Sequence, residues 1–352
     1  MGQQRAIGPV LVLLMGACRP DAATAPPPRV ISEATTASSV YPAGQYKPIT
    51  IAGEGYFSDI SDANLIVGFM NDTAIAMPLH GTVVQLTTAP GYASRANGVN
   101  GRGGIVGSVI FGSVAAPVAR PAYWPRVGLN PILLPHVGVA HEINDAGIAV
   151  GQIERRGRSY AYAWDVSGVT GKPLWFLPPL PGGRNTSAVA INADWIILGT
   201  SDGPAGWQSV VWQWNGSGWT PRAVNGGIFG NDIDSGFGIV GSTGSTASFG
   251  NPDHAGFFLT GASSMAWGVN ARGVATGDAV AASTGWPQNT GAFVADRGGN
   301  VTFLPLPTVV FGFAWRATYG YGINTCGVVV GTAWGFPGHP YTAQPAIWDP
   351  GC

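Results

Sequence analysis

Apolar residues in this chain fall in short runs broken by Gly, Pro, Asn, Asp and Ser, and no stretch keeps a helical period. One nine-residue frame recurs seven times without gaps: 60–68, 99–107, 143–151, 191–199, 233–241, 269–277 and 323–331. Its first position is always Ile or Val, its second Asn, Asp or Ser, and its ninth Gly. The fifth is Gly in four copies, at Gly103, Gly147, Gly273 and Gly327. This pattern predicts a β-hairpin. The apolar residue ends one strand, the Asn/Asp/Ser side chain bonds the turn's own backbone, and the fifth residue supplies the left-handed conformation. Asn64 and Asp194 are read as the residues that replace this glycine in copies one and four.

A third apolar-aromatic run follows each hairpin, at 74–78, 122–124, 161–164, 210–212, 256–259, 292–294 and 346–348. A fourth follows at 82–86, 131–135, 174–177 and 301–304. It is weak at 219–224 in copy four and nearly absent in copy five. The ninth glycines advance by about 44 residues per copy, the length of a four-stranded propeller blade. The expected fold is therefore all-β, a seven-bladed β-propeller. Copy seven ends after its third strand, and residues 46–51 resemble a fourth strand, so the N-terminal strand is expected to complete the last blade and close the ring.

Composition agrees and narrows the function classes. Charged residues make up 10% of the 352, and 54 are Gly and 28 Pro, which suits dense turns and excludes coiled coils. Aromatics at 11% exclude disorder for the bulk of the chain. A net charge of -1 offers no basic field for nucleic acid.

Residues 1–17 read as a signal peptide, with Arg5 ahead of an apolar stretch too short to span a bilayer. Leu14-Met15-Gly16-Ala17-Cys18 resembles a bacterial lipobox, with Met15 where Leu is usual. The resemblance implies a lipidated Cys18 and export to the cell envelope. The expected site is the outer membrane, on its periplasmic or surface side. Residues 18–44, rich in Ala, Pro and Thr, then read as a flexible tether to a propeller over 45–352. Cys326 in the copy-seven turn and Cys352 after its third strand are adjacent by blade topology, and a disulfide is expected between them.

The hairpin frame with its downstream A-[FYW]-x-W-like strand resembles the HAF family of probable extracellular repeats over about residues 53–350, and His254-Ala-Gly-Phe-Phe258 approximates that family's signature. The resemblance implies an exported repeat protein and supplies no catalytic residues.

Zinc spacings, phosphate loops, calcium loops and serine elbows are lacking in the sequence. The residue before the frame's first position is acidic in three copies: Asp59, Glu142 and Asp232, with His141 beside one of them. If the first strands line a central channel, these acids face it, either as a cation site (Ca²⁺) and catalytic acids or as a solvated wall. Glu154–Arg158 is the one dense charge cluster, either an interaction loop or a solvated turn. Trp124, Trp164, Trp212 and Trp348 recur in third strands and read as core. Trp175, Trp207, Trp219, Trp286 and Trp334 lie outside that register, where exposed indoles would stack on sugars. The expected role is a lipid-anchored binding scaffold without catalytic residues or metal, taking glycan or protein and touching the membrane only through its lipid. The alternatives are a carbohydrate-active hydrolase or lyase using the channel acids, and a purely structural surface protein. Reduction of the exported protein should raise its intact mass by two hydrogens; two free thiols before reduction would contradict the Cys326–Cys352 pairing.

Overall fold

The computed structural model describes residues 45–88, 93–113, 115–168, 171, 173–258, 263–280, 290–307, 315–335 and 342–351. The signal, Cys18 and the tether lie outside the described residues, as do Cys352 and Trp286. Every element is a β-strand. β1 (Lys47–Thr50) precedes a series of antiparallel meanders. The first sheet is β2 (Gly55–Ile60), β3 (Leu65–Met70), β4 (Thr73–Pro78) and β5 (Val84–Gln85). The second is β6 (Ala93–Val99), β7 (Ile105–Ser113), β8 (Ala116–Trp124) and β9 (Ile132–Leu133). The third is β10 (Val137–Ile143), β11 (Ile148–Arg155), β12 (Arg158–Asp165) and β13 (Leu174–Phe176). The fourth is β14 (Thr186–Ile191), β15 (Ile196–Ser201), β16 (Gln208–Trp214) and β17 (Trp219–Ala223). The fifth is β18 (Phe229–Ile233), β19 (Ile239–Thr243), β20 (Thr246–Asn251) and β21 (His254–Phe258).

The remaining strands form one eight-stranded sheet: β22 (Ser264–Val269), β23 (Ala275–Val280), β24 (Thr290–Ala295), β25 (Val301–Phe303), β26 (Trp315–Ile323), β27 (Val329–Gly335), β28 (Thr342–Asp349) and β1. Pairing thus gives five separate four-stranded sheets rather than seven. The last two copies are joined because the long strand β26 reaches β24, where Ala317 pairs in parallel with Thr290. β1 lies antiparallel to β28, Lys47 opposite Asp349 and Thr50 opposite Ala346, in the place of a fourth strand.

First strands touch in chain order, β2 to β6, then β10, β14, β18, β22 and β26, and β26 touches β2. The arrangement is a β-propeller, with a core between neighbouring sheets rather than at one centre. Trp124, Trp164, Trp212 and Trp348 are buried there. Three of these indoles tie neighbouring copies at the rim: Trp124, Trp212 and Trp348 donate to the carbonyls of Thr87, Pro178 and Pro305 at 2.8, 2.7 and 2.8 Å.

Each first strand carries a β-bulge two residues before the frame's first position, so Ser58, Asn97, His141, Val189, Asn231, Trp267 and Tyr321 stand outside the ladder. The second strand crosses close beneath it. A Cβ on Gly68 would stand 2.2 Å from the Tyr56 carbonyl oxygen, and one on Gly331 1.9 Å from that of Tyr319. The ninth position is glycine for want of room. The fifth residue has positive φ in every copy, at Asn64, Gly103, Gly147, Trp195, Phe237, Gly273 and Gly327. In copy four it is Trp195 and not Asp194. Burial of the Trp195 ring in the core offsets the strain of that backbone.

Copy five differs from its sequence reading. Its third strand is β20, turned back on β19 through Gly244 with Thr243 opposite Thr246; of the 256–259 run, 256–258 belong to the fourth strand, β21, and Leu259 lies outside the described residues. The aromatic signature belongs to the fourth strand, one place beyond the third. In copy four the 219–224 run is a full fourth strand, Trp214 pairing with Trp219. Gly331→Ala is expected to destabilise the protein by roughly 1–3 kcal/mol through backbone collision. Gly218→Ala, with open space around its Cβ, should stay within about 0.5 kcal/mol in the same urea titration.

Candidate functional site

A first strand pairs with its second strand along one edge, and apart from the single bridge between β26 and β24 its other edge has no strand partner among the described residues. Side chains of the neighbouring copy supply partners for its other edge. At the frame's second position one amide does two things. Asn144 Oδ1 accepts from Ile148 N–H at 3.0 Å and closes its own turn, while Asn144 Nδ2 donates to the Asn192 carbonyl at 3.2 Å in the next copy. Asn100, Asn192, Asn270 and Asn324 behave alike, donating to the Asn144, Asp234 and Asn324 carbonyls and to Asn64 Oδ1 respectively. The Asp234 side chain has no N–H to donate, and Arg297 from the next copy makes an ion pair with its buried carboxylate.

The acids singled out from the sequence belong to this belt. Asp59 Oδ2 accepts from Val99 N–H at 2.9 Å, Glu142 Oε2 from Ile191 N–H at 2.7 Å and Asp232 Oδ2 from Val269 N–H at 2.7 Å, each across to the following copy. They are 0%, 1% and 1% exposed, so they stand between inner strands rather than on a wet channel wall. Their neighbours at the same position are Gly98, Ala190, Gly268 and Gly322. A Cβ on Gly98 would meet the His141 carbonyl at 2.8 Å, and one on Gly322 would meet Asp59 Cα at 2.9 Å. Among the described residues no group of three or more His, Cys, Asp and Glu stands together as a metal site, and these three acids are not brought together.

Along the first strands, ahead of the Asn turns, the structure gathers residues that the sequence reading did not single out. Asp278 on β23 accepts from the Trp267 indole. Trp267 meets Tyr321 edge to face at 6.1 Å, Tyr321 stacks with Tyr319 at 6.3 Å and 14°, and Tyr56 meets Tyr321 at 5.8 Å and Phe69 at 4.4 Å. The Arg95 guanidinium lies over Phe69 at 4.1 Å. All are half-buried, and they come from four successive copies across the closure of the ring. Burial pushes the Asp278 carboxyl up to about 6 against the pull of the indole hydrogen bond. Burial lifts the Tyr56 phenol to about 12 despite Arg95, and it raises Tyr321 and Tyr319, the latter further raised by the Asp278 charge. A signal for the site existed. The position after the ninth glycine is Phe69, Ser108, Gln152, Thr200, Ser242 or Thr332 in six copies and an acid, Asp278, in one.

His141 is buried apart from these aromatics, on β10, and burial holds its imidazole down at about 4. Cys326 is disulfide-bonded. Glu154–Arg158 is an exposed two-residue hairpin turn, closed by Arg155 opposite Arg158 with positive φ at Arg156 and Gly157. Of the Trp residues outside the third-strand register, Trp175 and Trp219 are buried, whereas Trp207 and Trp334 are exposed.

Asp278 and His141 give opposite pH dependences. A carboxyl raised to about 6 costs nothing when protonated, and its cost grows as pH rises through that value. An imidazole lowered to about 4 costs stability as pH falls from its ordinary range toward that value. Asp278→Asn is expected to gain about 1–3 kcal/mol above pH 7 and nothing near pH 4. His141→Gln should instead improve relative stability on the acid side. Calorimetric unfolding across this range reads both, and parallel pH profiles for wild type and variants would contradict the assignments.

No protein-family model matches the chain, and no curated protein matches it. Solved structures resemble it at low identity. A mutant puromycin hydrolase complexed with PGG is 12% identical, with 84% of this chain and 52% of that one covered and a TM-score of 0.53. A putative TolB from Agrobacterium tumefaciens is 13% identical over 72% and 82% of the two chains, with a TM-score of 0.43. A gluconolactonase from Xanthomonas campestris is 10% identical over 88% and 90%, with a TM-score of 0.40. The likeness to the puromycin hydrolase supports the propeller arrangement and extends to the fold alone.

Proposed function

We propose that this chain is an exported, lipid-anchored propeller that binds glycan without turning it over. We read seven blades, taking β22–β25 as one and β26–β28 with β1 as another, joined by the single bridge at Thr290 and Ala317. Anchoring is assigned to Cys18, in line with the lipobox-like run before it. A disulfide at Cys326, with Cys352 as its proposed partner, suits an oxidising compartment. One observation carries the binding role: the assembly of Tyr56, Phe69, Trp267, Tyr319 and Tyr321 with Arg95 and Asp278 across the closure of the ring. Aromatic faces pack on the C–H faces of sugars, while a guanidinium and a carboxyl supply directional polar contacts.

Asp278 also favours a second reading. A carboxyl near pKa 6 among aromatic rings has the character of a general acid, and a carbohydrate-active hydrolase would use it so. A glycan array probed with the purified full chain, followed by calorimetry on the best polysaccharide, separates the readings. Expected are binding, at least a tenfold loss in folded Trp267→Ala, and no release of reducing ends. Turnover abolished in Asp278→Asn would establish the hydrolase instead. Failure to bind any glycan, or binding indifferent to Trp267, would overturn the proposal.

A further inference from the structure

Asp278 is a carboxylate without a counter-charge. β23 places it opposite Met265 on β22 and Ala292 on β24, neither of which is charged. Among the described residues it accepts a hydrogen bond from the Trp267 indole and makes no ion pair. Residues 281–289, which follow β23 in the chain, include no Lys, Arg or His. Burial holds the carboxyl up at about 6, so at neutral pH it is mostly ionised and its charge stands uncompensated. The buried acids of the belt differ, because Asp59, Glu142 and Asp232 each accept a backbone N–H.

The groups around this carboxyl are aromatic and uncharged. Trp267 touches it through the indole N–H, Tyr321 meets Trp267 at 6.1 Å, and Tyr319 lies nearly parallel to Tyr321 at 6.3 Å and 14°. Burial and then the Asp278 charge raise Tyr319; burial, Tyr56 and Asp278 raise Tyr321. Both phenols therefore lie within electrostatic reach of the carboxyl and stay neutral at pH 7. Tyr56 is neutral as well, lifted to about 12 by burial. The one cation of the assembly, Arg95, is engaged by the Phe69 ring and the Tyr56 phenol and makes no ion pair with Asp278. Asp278, Trp267, Tyr319 and Tyr321 are each partly exposed, so a ligand can reach them. Aromatic faces attract cations, and an anion among them adds to the attraction. A neutral hydroxyl would satisfy one oxygen and leave the charge uncompensated; an ammonium group satisfies both needs.

We propose that the glycan taken by this site carries free amino groups, a protonated amine of one sugar unit seating against Asp278 and the rings of Trp267, Tyr319 and Tyr321. The inference rests on the glycan-binding reading and adds the charge of the ligand. Glucosamine polymers and partly N-deacetylated glycans have the required chemistry. An N-acetylated glycan, its amine masked as a neutral amide, lacks it.

The test is titration calorimetry on the full chain with three β-1,4-linked tetrasaccharides: of glucosamine, of N-acetylglucosamine, and of N,N,N-trimethylglucosamine, whose charge is permanent. At pH 6.5 the glucosamine probe should bind at least tenfold more tightly than the N-acetylated one, and Asp278→Asn should bring that ratio to within about threefold. Affinity for the trimethylated probe should rise roughly tenfold from pH 5 to pH 7.5 as the carboxyl ionises, and stay level in Asp278→Asn. Should Asp278→Asn fail to fold, the wild-type pH profile decides. Equal affinities for the charged and N-acetylated probes, a preference that survives in Asp278→Asn, or a level wild-type profile overturns the inference. If glycan binding then still depends on Trp267, the binding reading stands and only the charge preference falls. Failure of the chain to bind these probes or any glycan removes both.

Discussion

The inner edge of every first strand is the constraint on which the rest depends. A radial sheet ends at the ring's centre on an unpaired strand edge, and backbone N–H and C=O groups there must find partners or cost free energy. This chain satisfies them with side chains from the adjoining copy. Amides at the second frame position, carboxylates before the first and small polar groups at the bulge each cross one junction. Every junction between consecutive copies carries at least one such bond, and Asn324 to Asn64 links the last copy to the first. β1 beside β28 closes the same junction at the rim.

That belt also accounts for the odd composition. Neighbouring sheets bury both faces of most strands, so charge is confined largely to loops, and the polar residues that do enter the interior are Asn, Asp and Ser in bridging positions. Buried carboxylates such as Asp59 and Asp232 are tolerated because backbone N–H groups converge on them. Where the second frame position lacks an amide donor, at Asp234, the chain brings Arg297 instead.

The period, the hairpins, the third-strand Trp core and the placing of residues 46–51 were legible in the sequence, because each rests on local turn chemistry or on spacing. The belt was not. Asn144 advertises its turn, but its second partner, Asn192, is 48 residues away, and nothing local announces it. In the sequence Asp59, Glu142 and Asp232 look like channel acids, because equivalence round a ring is visible there while the closeness of adjacent strands is not. Trp195 hid its left-handed backbone behind a bulky side chain. The aromatic site around Asp278 escaped because its members come from four copies and resemble ordinary strand residues one at a time. Departures from the repeat mark this site: a ring that needs only small polar groups at its centre carries Trp267, Tyr321 and Asp278 on one side.

The central claim is that side-chain amides crossing between copies hold the ring together. Asn144→Asp tests it most directly. The carboxylate keeps the Oδ1 acceptor that closes its own turn and replaces the donor to Asn192 with a negative charge facing a carbonyl. Urea unfolding near neutral pH should show a loss of roughly 3 kcal/mol. The control is Asn215→Asp, in an exposed hairpin where the Asn215 cap serves only its own turn, and it should change little. Equal and small effects in the two variants would contradict the account.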